Sequence, residues 1–351
     1  MRCVATPSVT LARDSSPSGG ARAQCMTHAP VLLSEAMEAL AIESGGLYLD
    51  ATFGGGGYTR AMLQQGARVI ACDRDPDAIA RGRPLCAEFP DTLTLVSARF
   101  SDIAAFVNEP LTGAVFDLGV SSFQFDEAGR GFSFQADADL DMRMDKEGPS
   151  AADAVNRLSE AALADLIYHY GEDDESRRIA RAIVQARAAR PIARTLELAR
   201  IVEGAVGGRK GARTHPATKT FQALRMLVND ELGELARGLS SAEQALKPGG
   251  RLVVVSFHSL EDRMVKQFLT ARADAQGRGS RHAPDLPPER PASFALERKR
   301  ATAPSDAEVA VNSRARSASL RWAIRTQAPA WDELEPPALA PRAEAEWTKL
   351  N

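Results

Sequence analysis

Four short apolar runs, at 47–52, 68–73, 93–98 and 114–119, carry β-branched residues and each closes in turn chemistry, the signature of strands. The segments between them, such as 59–65 and 77–89, have helical composition. Strand and helix in alternation imply a parallel sheet with right-handed crossovers. After Gly119 the alternation stops. From about 151 to 246 apolar residues recur at spacings of three and four, as in Leu163, Leu166, Ile167 and Tyr170, which predicts helices only. Lys247-Pro-Gly-Gly then predicts a turn, 251–257 is the most strand-like run of the chain, and 293–300 and 318–325 read as two closing strands. The economical architecture is one α/β domain, 28–135 and 245–326, interrupted by an all-helical insertion over 136–244. Open α/β sheets bind substrates beyond the carboxyl ends of their strands, so the insertion leaves from the functional edge.

Composition alters this picture mainly at the ends. Residues 1–27 are rich in Arg, Ser, Gly and Pro, with Asp14 their only acid, and have no apolar stretch suited to secretion. We read them as a disordered leader or an over-extended start, with organelle targeting the lesser alternative. Residues 327–351, rich in Ala, Pro and Glu, read as a flexible tail, and 271–291 as a mobile loop. No apolar run approaches the roughly 18–20 residues that span a bilayer. Cys3, Cys25, Cys72 and Cys86 show no C-x-x-C spacing, which disfavours a zinc ribbon or disulfide scaffold and suits a reducing, cytoplasmic setting.

The net charge of −3 argues against a protein that coats nucleic acid over its whole surface, but it hides a local imbalance. Between Arg177 and Arg225 stand ten arginines and two lysines, opposed only by Glu197 and Glu203. Such clustering suits phosphate contacts, and 207–213 reads as a basic loop; a solvated helix face is the commoner meaning of a charge run.

Asp50-Ala-Thr-Phe-Gly-Gly-Gly-Gly-Tyr58 sits where the first strand turns into the first crossover helix. Glycine there admits close approach of a ligand to the backbone. Tested from Gly54, the dinucleotide fingerprint G-x-G-x-x-G finds Gly56 in place but Thr59 where its third glycine belongs. The second strand nevertheless ends in Cys72-Asp73-Arg74-Asp75, about where an acid grips a ribose diol. A broken pyrophosphate fingerprint beside a ribose acid suits a nucleoside without phosphates, with S-adenosylmethionine the obvious candidate, and disfavours a nicotinamide dehydrogenase. Asp117, at the end of the fourth strand, can accept hydrogen bonds from an amine or simply cap a turn.

The chain carries in order His28-Ala-Pro-Val-Leu-Leu, Ala51-Thr-Phe-Gly-Gly-Gly-Gly-Tyr58, Asp73-Arg-Asp-Pro-Asp-Ala-Ile79 and Asp117-Leu-Gly-Val-Ser-Ser122. These are followed by Arg130-Gly-Phe-Ser-Phe134, Leu140-Asp-Met-Arg-Met-Asp145, His215-Pro-Ala-Thr-Lys-Thr-Phe-Gln222, Ser256-Phe-His-Ser-Leu-Glu-Asp-Arg263 and Asn312-Ser-Arg-Ala-Arg-Ser317. In these blocks the chain resembles the RsmH (MraW) family of bacterial 16S rRNA cytosine-N4 methyltransferases. Two positions depart from it: Tyr58 stands where many relatives have His, and Phe123 where Pro is common. The resemblance implies a Rossmann-like class I S-adenosylmethionine-dependent methyltransferase sheet with the helical insertion helping to hold RNA. By position it implies that Gly56, Gly57 and Tyr58 contact the methionine portion, Asp73 the ribose and Phe100 the adenine, with Asp117 and Gln124 completing the pocket. It further implies methylation of N4 of one cytidine in the decoding region of 16S rRNA, within a small subunit or an assembly intermediate. Whether the chain works as a monomer or a homodimer stays open at this point.

Methylating a cytosine amine demands an acceptor that draws on an N–H, because the nitrogen lone pair is delocalised into the ring, and in-line positioning against the methyl donor. The candidates are Asp117 and the acids of the 140–145 segment, Asp141 foremost, with Ser256 and His258 after the fifth strand orienting the base. Arg143, Arg209, Lys210 and Lys219 are candidate RNA contacts. Other constellations fail. Asp137, Asp139 and Asp141 mimic a calcium loop, but Met142 sits where its glycine belongs and Gly148 where its bidentate Glu belongs. His258, Glu261 and Asp262 lack a second histidine at suitable spacing, so no metal is expected. His169 and Tyr170 lie on an apolar helical stripe and read as core. A noncatalytic RNA-binding or assembly factor that keeps a cofactor fold is the alternative from another class, against which an intact glycine loop, Asp73 and Asp117 argue.

Overall fold

In a computed structural model the structure describes residues 30–209, 211, 214–273, 290–332, 334–335 and 338–351. The leader 1–27, most of the 271–291 loop and Lys210 lie outside the described residues. A short helix α1 (Leu33–Leu40) leads into β1 (Leu47–Asp50), α2 (Gly57–Gln64), β2 (Arg68–Asp73), α3 (Pro76–Glu88), β3 (Leu93–Ser97), α4 (Ile103–Phe106) and β4 (Leu111–Asp117). A single turn, α5 (Ser122–Asp126), follows β4 directly. The helices α6 (Ala151–Arg157), α7 (Glu160–His169), α8 (Ser176–Ala189), α9 (Thr195–Val206), α10 (Ala217–Val228) and α11 (Glu231–Ala245) come next. The chain then returns to the sheet through β5 (Leu246–Ser256), α12 (Ser259–Ala273), β6 (Phe294–Ala295), α13 (Asp306–Val311) and β7 (Ser319–Arg325), and ends in α14 (Pro341–Thr348).

The strand order is β3-β2-β1-β4-β5-β7-β6. The first five strands run parallel, β7 is antiparallel to β5, and β6 is antiparallel to β7. This is the Rossmann-like class I methyltransferase sheet. Burial on both faces explains why the strands read as continuous apolar runs. Leu47 and Leu49 of β1, Ala114 and Phe116 of β4, and Leu252 and Val254 of β5 point into one core. Tyr48, Val115, Val253 and Val255 point into the other, against α1 and α2. The first core runs without a break into the insertion, through Leu163, Ile167, Val202 and Leu224.

Two expectations about the sheet need adjusting. Lys247-Pro-Gly-Gly does turn, with Gly249 at φ 82°, but inside β5: the register steps from Leu111 opposite Leu246 to Gly113 opposite Arg251, a bulge within one strand. The strand expected over 293–300 is two residues long. It lies at the sheet edge, where the exposed Glu297-Arg-Lys-Arg300 has no second strand to pair with.

The tail expected to be flexible is folded back. The Trp331 N–H donates to Glu243 Oε1 (3.0 Å) and the Leu334 N–H to Ser240 Oγ (2.8 Å), both on α11. The α14 helix packs on α7, with Trp347 and Ala343 buried, and Glu346 accepts from the Ser159 N–H (2.8 Å) and hydroxyl (2.7 Å). Tyr170, read as core, is buried and also donates to Glu344 (2.8 Å), whereas His169 is a partly exposed neighbour of Asp165 (3.6 Å). Composition misled here because two or three apolar residues on a short helix suffice once a complementary groove exists.

Candidate active site

The loop between β1 and α2 is built around Asp50. Its buried carboxylate accepts from the Thr59 hydroxyl (2.6 Å) and the Thr52 N–H (3.1 Å), tying both ends of the glycine run together. Thr59, the residue that breaks the dinucleotide fingerprint, is therefore a structural tie. Burial pushes the Asp50 carboxyl up to about 6, against the two threonine hydrogen bonds. Gly56 lies at φ 76°, and a Cβ there would come within 2.8 Å of the Phe53 ring; one on Gly57 would lie 2.2 Å from Pro30 Cγ. Tyr58 is buried and its hydroxyl donates to the Val31 carbonyl. Its phenol therefore anchors the segment before α1.

Asp73, at the end of β2, accepts from the Gly54 N–H and the Asp75 N–H, each at 2.8 Å, which aims its carboxylate at the glycine loop. Burial raises its affinity for a proton, partly offset by those two amides. Phe100, one turn beyond β3, is half-buried, edge-on to Phe116 (5.4 Å between centroids) and backed by Gly238 of α11. The next strand end is the least compensated. Asp117 has its own N–H fixed by Thr52 Oγ1 (2.7 Å), yet its Oδ1 is buried without a hydrogen-bond partner. Burial, reinforced by the facing carboxylates of Asp50 and Glu261, pushes its pKa well above the ordinary value.

Beyond β5, the Ser256 hydroxyl is buried and donates to the Ser319 carbonyl (3.3 Å) on β7, so it faces the sheet rather than a substrate. His258 Nε2 lies 3.0 Å from Glu261 Oε1, and Glu261 Oε2 accepts from the Phe257 N–H (3.0 Å). Burial would raise the Glu261 pKa, but His258 and Arg225 outweigh it and hold the carboxyl below its usual range. Arg225, on α10, grips Glu231 of α11 through two hydrogen bonds of 2.7 and 2.8 Å. Glu231, His258 and Glu261 could in principle share a metal ion. Their carboxylates are already engaged by Arg225 and the Phe257 amide.

Several sequence candidates turn out to be committed elsewhere. Gln124 accepts from the Ser121 N–H (3.0 Å) and donates to Asp75 (2.7 Å), closing a capping box on α5. Asp141 is bound by Arg143 through its Nε (2.7 Å) and Nη2 (2.8 Å); burial raises its pKa but the guanidinium lowers it further, so it is a weak proton acceptor. The same pairing, with a hydrogen bond to the Gly148 carbonyl (2.9 Å), occupies Arg143. Lys219 donates to the Glu172 carbonyl (2.6 Å), and Arg209 lies 3.7 Å from Glu203 at the surface.

Sequence reasoning passed over Asp50, Asp75, Arg130 and Arg225. Asp50 was legible as the last residue of a strand before a glycine run. Arg130 was not: it clamps Asp75 (3.1 Å) and Asp77 (2.9 Å) and caps the Arg143 and Met144 carbonyls, joining segments far apart in the chain. Arg74 and Arg99 likewise converge on Asp145 (2.6 and 2.7 Å), beside a cavity of about 460 Å3 that Asn229 and Trp347 also line.

The model of the MraW methylase family matches residues 25–326. The chain is similar to ribosomal RNA small subunit methyltransferase H of Caulobacter vibrioides (strain NA1000 / CB15N), with 56% identity over 307 residues, 87% of this chain and 97% of that protein. It is also similar to the protein of the same name from Cereibacter sphaeroides (strain ATCC 17025 / ATH 2.4.3), with 55% identity over 304 residues, 86% of this chain and 91% of that one. Among solved structures, an rRNA methylase from Streptococcus thermophilus aligns with 84% of this chain and 94% of its own at 11% identity and a TM-score of 0.37.

Proposed function

Because the chain belongs to the MraW methylase family, methyltransferases of small-subunit ribosomal RNA, we propose that it methylates the exocyclic N4 of one cytidine in the decoding region of 16S rRNA. Its substrate is that rRNA within a small subunit or assembly intermediate in the bacterial cytoplasm, and its methyl donor is S-adenosylmethionine. When bound, the donor supplies an electrophilic methyl group on a sulfonium.

The observation that carries this reading is the pair of poorly compensated carboxylates, Asp50 and Asp117, at the ends of β1 and β4 beside the run of glycines at 54–57. A cationic amino acid fits there: the orphaned Oδ1 of Asp117 lacks a donor that an ammonium provides. Asp73, held by two amides, keeps acceptor capacity for a ribose diol, and Phe100 offers an apolar edge for the purine. The Gly56 and Gly57 backbone would lie along the methionine portion.

Asp141 is spent on Arg143, so of the acids considered Asp117 would draw on the amine proton with one carboxylate oxygen while the other takes the donor's ammonium. His258, which follows β5 and lies 3.0 Å from Glu261, would hold the base. Holding the amine against the donor while drawing on one N–H is the main demand of the reaction. The helical insertion supplies the RNA-facing surface. Arg177 and Arg200 are exposed there and form no ion pair among the described residues, while Arg178, Arg181, Arg190 and Arg209 sit in exposed pairs that phosphates can outcompete.

Mass mapping of rRNA from cells with and without the gene tests the proposal. The expected result is loss of a single methyl group from N4 of one decoding-region cytidine. A methyl missing from another atom or another region would overturn it.

A further inference from the structure

Phe123 is one of three large hydrophobic side chains exposed among the described residues, with 38% of its surface accessible, and it is the one that borders the glycine loop. It follows β4 by six residues, on α5, whose capping box through Ser121 and Gln124 sets the turn rigidly. The ring edge reaches over Gly55, where a Cβ would lie 3.0 Å from Phe123 Cε2. One face is covered by the Arg81 guanidinium, 4.6 Å from the ring centroid.

Arg81 is itself weakly held. Among the described residues its single hydrogen bond is a long one to Glu127 (3.4 Å), and its Nε and Nη2 are buried without acceptors. The stack on Phe123, more than hydrogen bonding, keeps the guanidinium in place. An exposed aromatic ring with a cation stacked on one face, at the carboxyl edge of the sheet, has the form of a stacking platform.

A base drawn out of structured RNA loses its stacking neighbours and needs a substitute surface beside the methyl donor. We infer that Phe123, backed by Arg81, is the surface on which the target pyrimidine stacks. The inference rests on the RNA-methyltransferase reading above and adds a residue to it that the reading does not itself use. Stacking is indifferent to base identity, so the pair contributes capture of the flipped base, and the choice of cytosine is left to polar groups such as Asp117 and His258.

The test is methylation kinetics on small ribosomal subunits lacking the modification, with donor affinity measured separately by calorimetry. Phe123→Ala and Phe123→Leu should each raise KM for the particle about ten-fold, with a smaller change in kcat and an unchanged donor Kd. Phe123→Tyr, which keeps the π face, should recover most of the affinity, and Arg81→Met should give an intermediate KM. The exposed position makes misfolding a small concern, and the Leu variant preserves apolar volume. If the Phe123 variants weaken donor binding and leave KM alone, the ring serves the donor pocket and the inference is wrong. Unchanged kinetics in an active enzyme would also refute it while sparing the functional reading; an inert wild-type enzyme would sink both.

Discussion

The strand-end acids and the arginines of the insertion are both dense in charge, yet they are treated in opposite ways. Asp117 has a buried oxygen with no partner, and Asp50 is held chiefly by neutral threonine groups. In the insertion the arginines find acids, many from outside their own run: Arg178 with Glu175, Arg181 with Glu160, Arg194 with Asp137 and Asp139, Arg225 with Glu231. Compensated charge serves architecture, whereas uncompensated buried charge costs stability and persists where a ligand completes it. The contrast separates a scaffold from a site more sharply than residue type does.

The largest effect should come from breaking the best-compensated pair. Arg225→Met leaves Glu231 without its partner and removes a cation near Glu261, and should destabilise the protein by about 3–5 kcal/mol in chemical denaturation. A loss well below that would mean that the pair is more solvated than its geometry indicates. At the other pole, Asp117→Asn replaces a buried carboxyl that the fold leaves without a partner. It should weaken donor binding about 100-fold by calorimetry while raising the thermal midpoint. Equal donor affinity, or a lower midpoint, would contradict the assignment of Asp117 as an uncompensated ligand group.

The smallest effect is a pH dependence. With its folded pKa at about 6, above the ordinary carboxyl value of roughly 4, Asp50 binds its proton more tightly in the folded state. Stability contributed by that protonation is therefore present at low pH and lost as pH rises through the window between those values. Asp50→Asn should gain on the wild type, in thermal midpoint, between pH 4.5 and pH 7.5. A difference constant with pH would show that Asp50 titrates normally.

Much of this was legible in the chain. The alternation of apolar runs announced the first four strands, and the change to three- and four-residue spacing announced the insertion, because burial on two faces or on one stripe imposes those periods. The glycine run and Asp73 stood out because close backbone approach and ribose recognition demand those residue types at strand ends, and the structure brings the two together through the Gly54 N–H. The partners of Gln124 and Asp141 were hidden for the same reason that Arg130 was missed. Each is defined by a partner, whether Asp75, Arg143 or the carbonyls near residue 144, chosen by the packing of segments.

By itself, then, the sequence determined where the first four strands lie, where the backbone must be bare and which family of sheets results, since local periodicity and turn chemistry operate over a few residues. Only the tertiary structure decided which charges are spent on one another and which are left over. It also decided that residues after β7 return to α7 through Trp347 and Glu346, and that Phe123 stands open beside Gly55. Ion pairing and exposure depend on distances between segments that are remote in the chain, and linear counting of acids against bases does not contain those distances.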